Sequence, residues 1–222
     1  MYTFKISIFI KIKNKLLRLV YHQLIKASLR YPFYDSLYPA IDSANIFYKK
    51  YTMDKEYSIC IDIGSGSKPR NIFNSSKIIG LDFIENEKEG VRYCDLSAGI
   101  LPFENNSISF ITAFDFIEHL SRTQIKGSSL NPFINLMNEI YRVLKPGGIF
   151  LSHTPAFPFS SAFQDPTHTN FISEMTFPGY FGKDVSGRWT VPWAQQYGFQ
   201  GEFTLVNQYW LNEHLITVLG KT

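Results

Sequence analysis

The feature that most constrains this chain is a train of five short apolar runs, Ser58–Ile63, Lys77–Leu81, Val91–Cys94, Ser107–Ala113 and Gly148–Thr154. Each is of strand length and rich in Ile, Val, Leu and Phe. A helical pattern at Phe133–Leu144 separates the last two, and a weaker one follows at Thr176–Phe181. This alternation is the mark of βαβ units built on a mostly parallel sheet. Phe203–Leu211 and His214–Leu219 read as two more strands, joined by Asn212–Glu213 alone, which is short enough only for an antiparallel hairpin. The expectation is an α/β fold with seven strands and helices on both faces.

A chain of 222 residues with 45% hydrophobic side chains can bury one core of ordinary size. The division expected is an N-terminal segment, 1–50, and one domain, 51–222, with an insertion at about 155–190. Basic residues gather in the segment: Lys5, Lys11, Lys13, Lys15, Arg18, Lys26 and Arg30 stand among the first 34 residues with no acid. Leu16, Leu17, Leu19, Val20, Leu24 and Ile25 recur there at near-helical spacing, predicting a basic amphipathic helix over residues 12–29. Such a helix packs across the domain, covers a site as a lid, or makes peripheral contact with an anionic membrane. The apolar stretch Ile6–Ile12 is far below the roughly 20 residues that span a bilayer and lacks a cleavage site, so no signal peptide is expected. Cys60 and Cys94 sit in apolar runs without ligand spacing, which suits a reducing cytoplasm. A net charge of +3 gives no clustered basic face and no expectation of a nucleic-acid partner.

The first apolar run ends in Asp62-Ile63-Gly64-Ser65-Gly66, a turn whose glycines tolerate φ > 0 and let a backbone approach a ligand. A helix starting just after it would aim free N–H groups at that ligand. Asp82 ends the second run, eighteen residues beyond Gly64, where a carboxylate accepts from ribose hydroxyls, and Asp95 ends the third. Carboxylates at the ends of three consecutive parallel strands face one crevice, where open α/β sheets bind ligands.

Together with Gly80-Leu81-Asp82, Cys94-Asp95-Leu96, Leu101-Pro102-Phe103, Phe116-Ile117-Glu118-His119-Leu120 and Leu144-Lys145-Pro146-Gly147-Gly148, this turn resembles the ordered motifs of class I S-adenosylmethionine-dependent methyltransferases. The closest likeness is to the small-molecule branch typified by quinone-biosynthesis enzymes, and it covers about residues 57–154. The resemblance implies a Rossmann-like fold and S-adenosyl-L-methionine as methyl donor. It implies that Asp62 holds the glycine turn and the donor's amino group, and that Gly64 and Gly66 meet the amino acid moiety. Asp82, with Phe83 beside it, would bind the ribose. Asp95 and Leu96 would meet the adenine, and Ala113 and Phe114 the sulfonium. A nicotinamide dinucleotide would want glycine where Pro69 stands.

Displacement at a methyl sulfonium needs alignment in a dry pocket, plus a base where the acceptor is a hydroxyl. His168, in the polar run Gln164–His168, and His119, beside Glu118, are the catalytic candidates, with His168 preferred. His153 lies within a strand and reads as structural. Asp115, Glu118 and His119 read as a solvated helix start, so no metal is expected. The aromatic-rich stretch after the fifth strand suits a cover over a flat or apolar acceptor. No Asp/Asn-Pro-Pro-aromatic run follows the fourth strand, which disfavours nucleic-acid amino groups. The expected activity is O-methylation of a small molecule or glycan unit. The rival is a non-catalytic scaffold that keeps the fold and binds a partner or membrane.

Overall fold

The computed structural model describes residues 36–51, 57–97, 100–122, 131–183 and 192–222. The chain divides at Tyr38/Pro39 into two compact units. Only residues 36–38 of the first are described, so the helix expected over residues 12–29 lies outside the described residues. Everything below concerns residues 39–222.

Helix α1 (Tyr38–Tyr51) leads into β1 (Ile59–Ile63), β2 (Lys77–Asp82), β3 (Val91–Tyr93) and β4 (Ile108–Phe114). Helix α2 (Pro132–Val143) runs directly into β5 (Leu144–Pro155). Short helices α3 (Ser161–Gln164) and α4 (Thr176–Tyr180), then β6 (Gly182–Lys183), β7 (Phe203–Leu211) and β8 (His214–Lys221) complete the order. The strands form one sheet in the order β3-β2-β1-β4-β5-β8-β7-β6. The first five pair in parallel, while β8 is antiparallel to both β5 and β7. The expected seven strands are joined by an eighth, the two-residue β6 on the outer edge of β7.

Burial follows position. All seven residues of β4 are buried, as a central strand covered on both faces requires, whereas eight of the nine residues of β7 are half-buried. Asn131 caps α2 by accepting from Phe133 N–H at 2.9 Å, Pro132 follows it, and Phe133, Leu136, Met137, Ile140 and Val143 form the buried stripe. These side chains join Ile111 and Phe150 in the main core. Helix α1 covers the other sheet face. Tyr48 packs on Phe110 with ring centroids 4.7 Å apart, and Phe47 lies so close over Gly220 that a Cβ there would sit 2.5 Å from its Cζ. The sequence reading does not include α1, although its buried residues Ala40, Ala44, Phe47 and Tyr48 stand at helical spacing.

The expectation of a helix just after the glycine turn is corrected: residues 64–76 form turns only. Pro69 disfavours helical backbone at Lys68, and side chains close the crossover instead. Asn71 accepts from Ser75 N–H and donates to its carbonyl, both at 2.9 Å, and Phe73 stacks on Phe110 at 4.4 Å.

Candidate active site at the carboxyl edge of the sheet

The sheet order reverses between β1 and β4: β2 and β3 lie on one side of that pair, and β5 on the other. A crevice opens outside the carboxyl ends of strands at such a switch point. Ile63 is level with Leu81 and with Ala113, so Gly64, Asp82 and Phe114 meet at the same edge.

Gly64 and Gly66 take φ of +65° and +62°, the left-handed region that the turn requires. Gly64 N–H donates to Leu81 C=O at 2.9 Å, anchoring the turn to β2. The two glycines differ in surroundings. A Cβ on Gly64 would sit 2.5 Å from Phe116 Cγ, whereas one on Gly66 would meet nothing within 4 Å. Asp82 holds the open half of the turn: one carboxylate oxygen accepts Gly66 N–H at 2.9 Å and the other Ile84 N–H at 3.1 Å.

Asp62 is wholly buried. It accepts Thr112 O–H at 2.7 Å and Arg70 N–H at 2.9 Å, so it braces the loop from beneath. Burial pushes its carboxyl up to about 6, against the pull of the bonds from Thr112 and Arg70. Arg70 extends over the Phe114 ring, 4.8 Å from its centroid, and its buried Nη1 lies 3.9 Å from Asp62 Oδ2 but makes no hydrogen bond among the described residues. Phe83 is exposed beside Asp82, and Leu96 is buried. Asp95 is exposed and accepts from Ser97 N–H and O–H. Ala113 and Phe114 are both buried, so they meet the crevice only at the strand end.

A second set of polar groups follows β4. Asp115, at φ +50°, accepts from His153 Nδ1 at 3.2 Å and His214 Nε2 at 3.1 Å. Burial would raise its carboxyl, but the two imidazoles outweigh that and hold it below the usual carboxylate range. Glu118 points elsewhere. It is 1% exposed, which corrects the expectation of a solvated helix start, and burial raises its carboxyl against a bond from Thr154 O–H at 2.7 Å. The residues expected to share one turn therefore part: Asp115 joins the two strand-end histidines, while Glu118 joins His119 and His168.

Backbone bonds explain why a residue far along the chain arrives there. Thr169 and Asn170 N–H both donate to Glu118 C=O at 2.9 Å, and the Asn170 side chain donates to Ile117 C=O at 3.0 Å. The clamp sets the His119 and His168 rings edge to face, with centroids 4.8 Å apart. The ligand atoms of Glu118, His119 and His168 lie within 4.8 Å of one another. Thr167 O–H donates to Asp165 at 2.7 Å, and its oxygen lies 2.9 Å from His119 Nδ1. That hydroxyl has one proton and gives it to the carboxylate, so His119 Nδ1 must donate and Nε2 keeps its lone pair.

Comparison with known proteins agrees with this geometry. Residues 61–152 match the family model described as methyltransferase domain, from the glycine turn through β5. These residues therefore form a methyltransferase domain. A SAM-dependent methyltransferase from Archaeoglobus fulgidus shares the fold at 13% identity and a TM-score of 0.50, covering 90% of this chain and 100% of its own. The YcgJ protein from Bacillus subtilis, at 17% identity and a TM-score of 0.49, covers 82% and 98%. No curated protein matches the sequence.

The methyltransferase's own residues fit S-adenosylmethionine. Gly66 leaves open space at the turn, Asp82 stands at the edge with acceptor capacity to spare, and Arg70 Nη1, paired with Asp62 at 3.9 Å but making no hydrogen bond, has donors left for an anion such as the donor's carboxylate. Sequence reasoning missed Arg70, Thr167 and His214. Arg70 carries no motif. His214 could have been found, since the tight hairpin returns it beside Pro155 at the end of β5.

Proposed function

We propose that the methyltransferase transfers its methyl group to an oxygen of a small molecule, and that His119 and His168 meet the acceptor hydroxyl. One observation carries the reading: the histidine pair is clamped beside the end of β4, where the donor's sulfonium is expected next to Ala113 and Phe114. A carboxylate acceptor presents its own electron pair near neutrality, whereas a hydroxyl keeps its proton and needs help to become nucleophilic. Aromatic surface beside the pair supports an acceptor with a flat or apolar part. Phe157, Phe163 and Phe171 are 57%, 50% and 43% exposed, yet touch one another with ring centroids 6.5 and 5.0 Å apart. Phe171 also lines a cavity of about 360 Å³ with Arg122, Phe133, Tyr180 and Tyr197, a volume suited to a small molecule.

The test is a metabolite panel incubated with labelled donor. Label should appear on hydroxyl-bearing compounds, and His119→Ala and His168→Ala should each lower turnover by roughly 10²-fold or more while affinity for the demethylated donor is unchanged. Label confined to nitrogen, or full turnover in both variants, would end the O-methylation reading.

A further inference from the structure

We propose that Glu118, His119 and His168 bind one divalent cation of the zinc type, with a coordination position left open toward the acceptor. Each residue has one polar atom tied down and a second that makes no hydrogen bond, that of His168 lying 3.9 Å from Asp165 Oδ2. His119 Nδ1 donates to Thr167 Oγ1, and His168 Nδ1 faces the Ala162 carbonyl at 3.4 Å, an atom that only accepts. Both imidazoles therefore keep their lone pair on Nε2. Glu118 Oε2 accepts from Thr154, while Oε1 is buried with no hydrogen-bond partner among the described residues.

A buried carboxylate oxygen without a partner costs roughly 1–3 kcal/mol, more when charged, and two imidazole lone pairs nearby offer it no proton. A cation answers all three at once. Two imidazole nitrogens and one carboxylate oxygen are a three-ligand set that zinc accepts with its fourth position open. Zinc bonds of about 2.0–2.2 Å place ligand atoms about 3.4 Å apart in a tetrahedron. The present spread, within 4.8 Å, is wider than that, so the three side chains must draw together as the cation binds. The hydrogen bonds on the two Nδ1 atoms are the outer partners that orient ligating histidines. Asp115, His153 and His214 form a contrasting cluster, because there the carboxylate oxygen already accepts from both rings.

The role, though not the binding, rests on the O-methylation reading. An acceptor hydroxyl in the open position would lose its proton to water. Its oxygen lone pair would then form the O–C bond while the S–C electron pair stays on sulfur.

The experiment uses the full chain, stripped with a chelator and titrated with Zn²⁺ and with Co²⁺, without donor or acceptor. One equivalent should bind at micromolar affinity or tighter, with the visible bands of four-coordinate Co²⁺. His119→Ala, at an exposed position that need not unfold the chain, and His168→Ala should each weaken binding by at least about 100-fold. His214→Ala should not. Absence of saturable binding, or binding that both variants retain, overturns the proposal. O-methyl transfer by cation-free protein at full rate and without uptake overturns the cation alone. One-equivalent uptake with label confined to nitrogen supports the site and ends the O-methylation reading.

Discussion

Gly64 and Gly66 allow backbone strain and steric pressure to be separated, because they share nearly the same φ and differ in what surrounds them. Alanine at Gly66 meets only the left-handed penalty, about 1–2 kcal/mol, partly offset by the stiffer unfolded chain at about 0.4–1 kcal/mol. The net loss should be about 1 kcal/mol. Alanine at Gly64 meets the same penalty and also collides with Phe116, whose Cβ would lie 2.7 Å from the new methyl. Turning the ring cannot clear a contact that includes Cβ, so the backbone after β4 must shift. Overpacking of this kind costs about 1–3 kcal/mol, bringing the total for Gly64→Ala to about 2–4 kcal/mol. Urea denaturation followed by circular dichroism measures both variants. In a Phe116→Gly background, which removes Cβ as well as the ring, the cost of Gly64→Ala should fall to that of Gly66→Ala, with a coupling of about 1–3 kcal/mol. Equal costs for the two single variants would refute the pressure from Phe116. Failure of Phe116→Gly to relieve the Gly64 variant would place the whole cost in the backbone.

Asp82→Ala strips Gly66 and Ile84 N–H of their acceptor and should weaken binding of the demethylated donor at least about tenfold, read by calorimetry. Unchanged affinity would remove Asp82 from the donor site. Asp62 titrates near pH 6 when folded and near pH 4 when unfolded, so between these values the folded chain holds the extra proton. Its contribution to stability is therefore full below about pH 4 and falls by about 3 kcal/mol as pH rises through 6. Unfolding free energies across that window should show the slope in the wild type and lose it in Asp62→Asn, whose rearranged hydrogen bonds add only a pH-independent offset. Parallel curves would refute the buried carboxyl's role. Arg142 ties α2 to the loop before β4 through Glu139, Asn105 and the carbonyls of Leu101 and Phe103, so Arg142→Leu should cost about 2–3 kcal/mol. A thermal midpoint equal to wild type would show that network to be dispensable.

The sequence by itself determined the strands, the glycine turn, Asp82 at the end of β2 and the antiparallel hairpin. These depend on local properties: an apolar run of strand length, glycine's access to positive φ, and a link too short for a crossover. Tertiary structure decided what the polar side chains do. Asp62 and Asp82 are similar residues at similar strand ends, but Thr112 on the neighbouring strand seals the first inside the sheet while the second meets the open turn. Asp115 and Glu118 are three residues apart, yet φ +50° at Asp115 and the backbone clamp from Thr169 and Asn170 send them to different histidines. The pairing of His119 with His168 spans 49 positions and rests on hydrogen bonds from Thr169 and Asn170 to the carbonyls of Ile117, Glu118 and Leu120, so no periodicity or spacing along the chain could announce it.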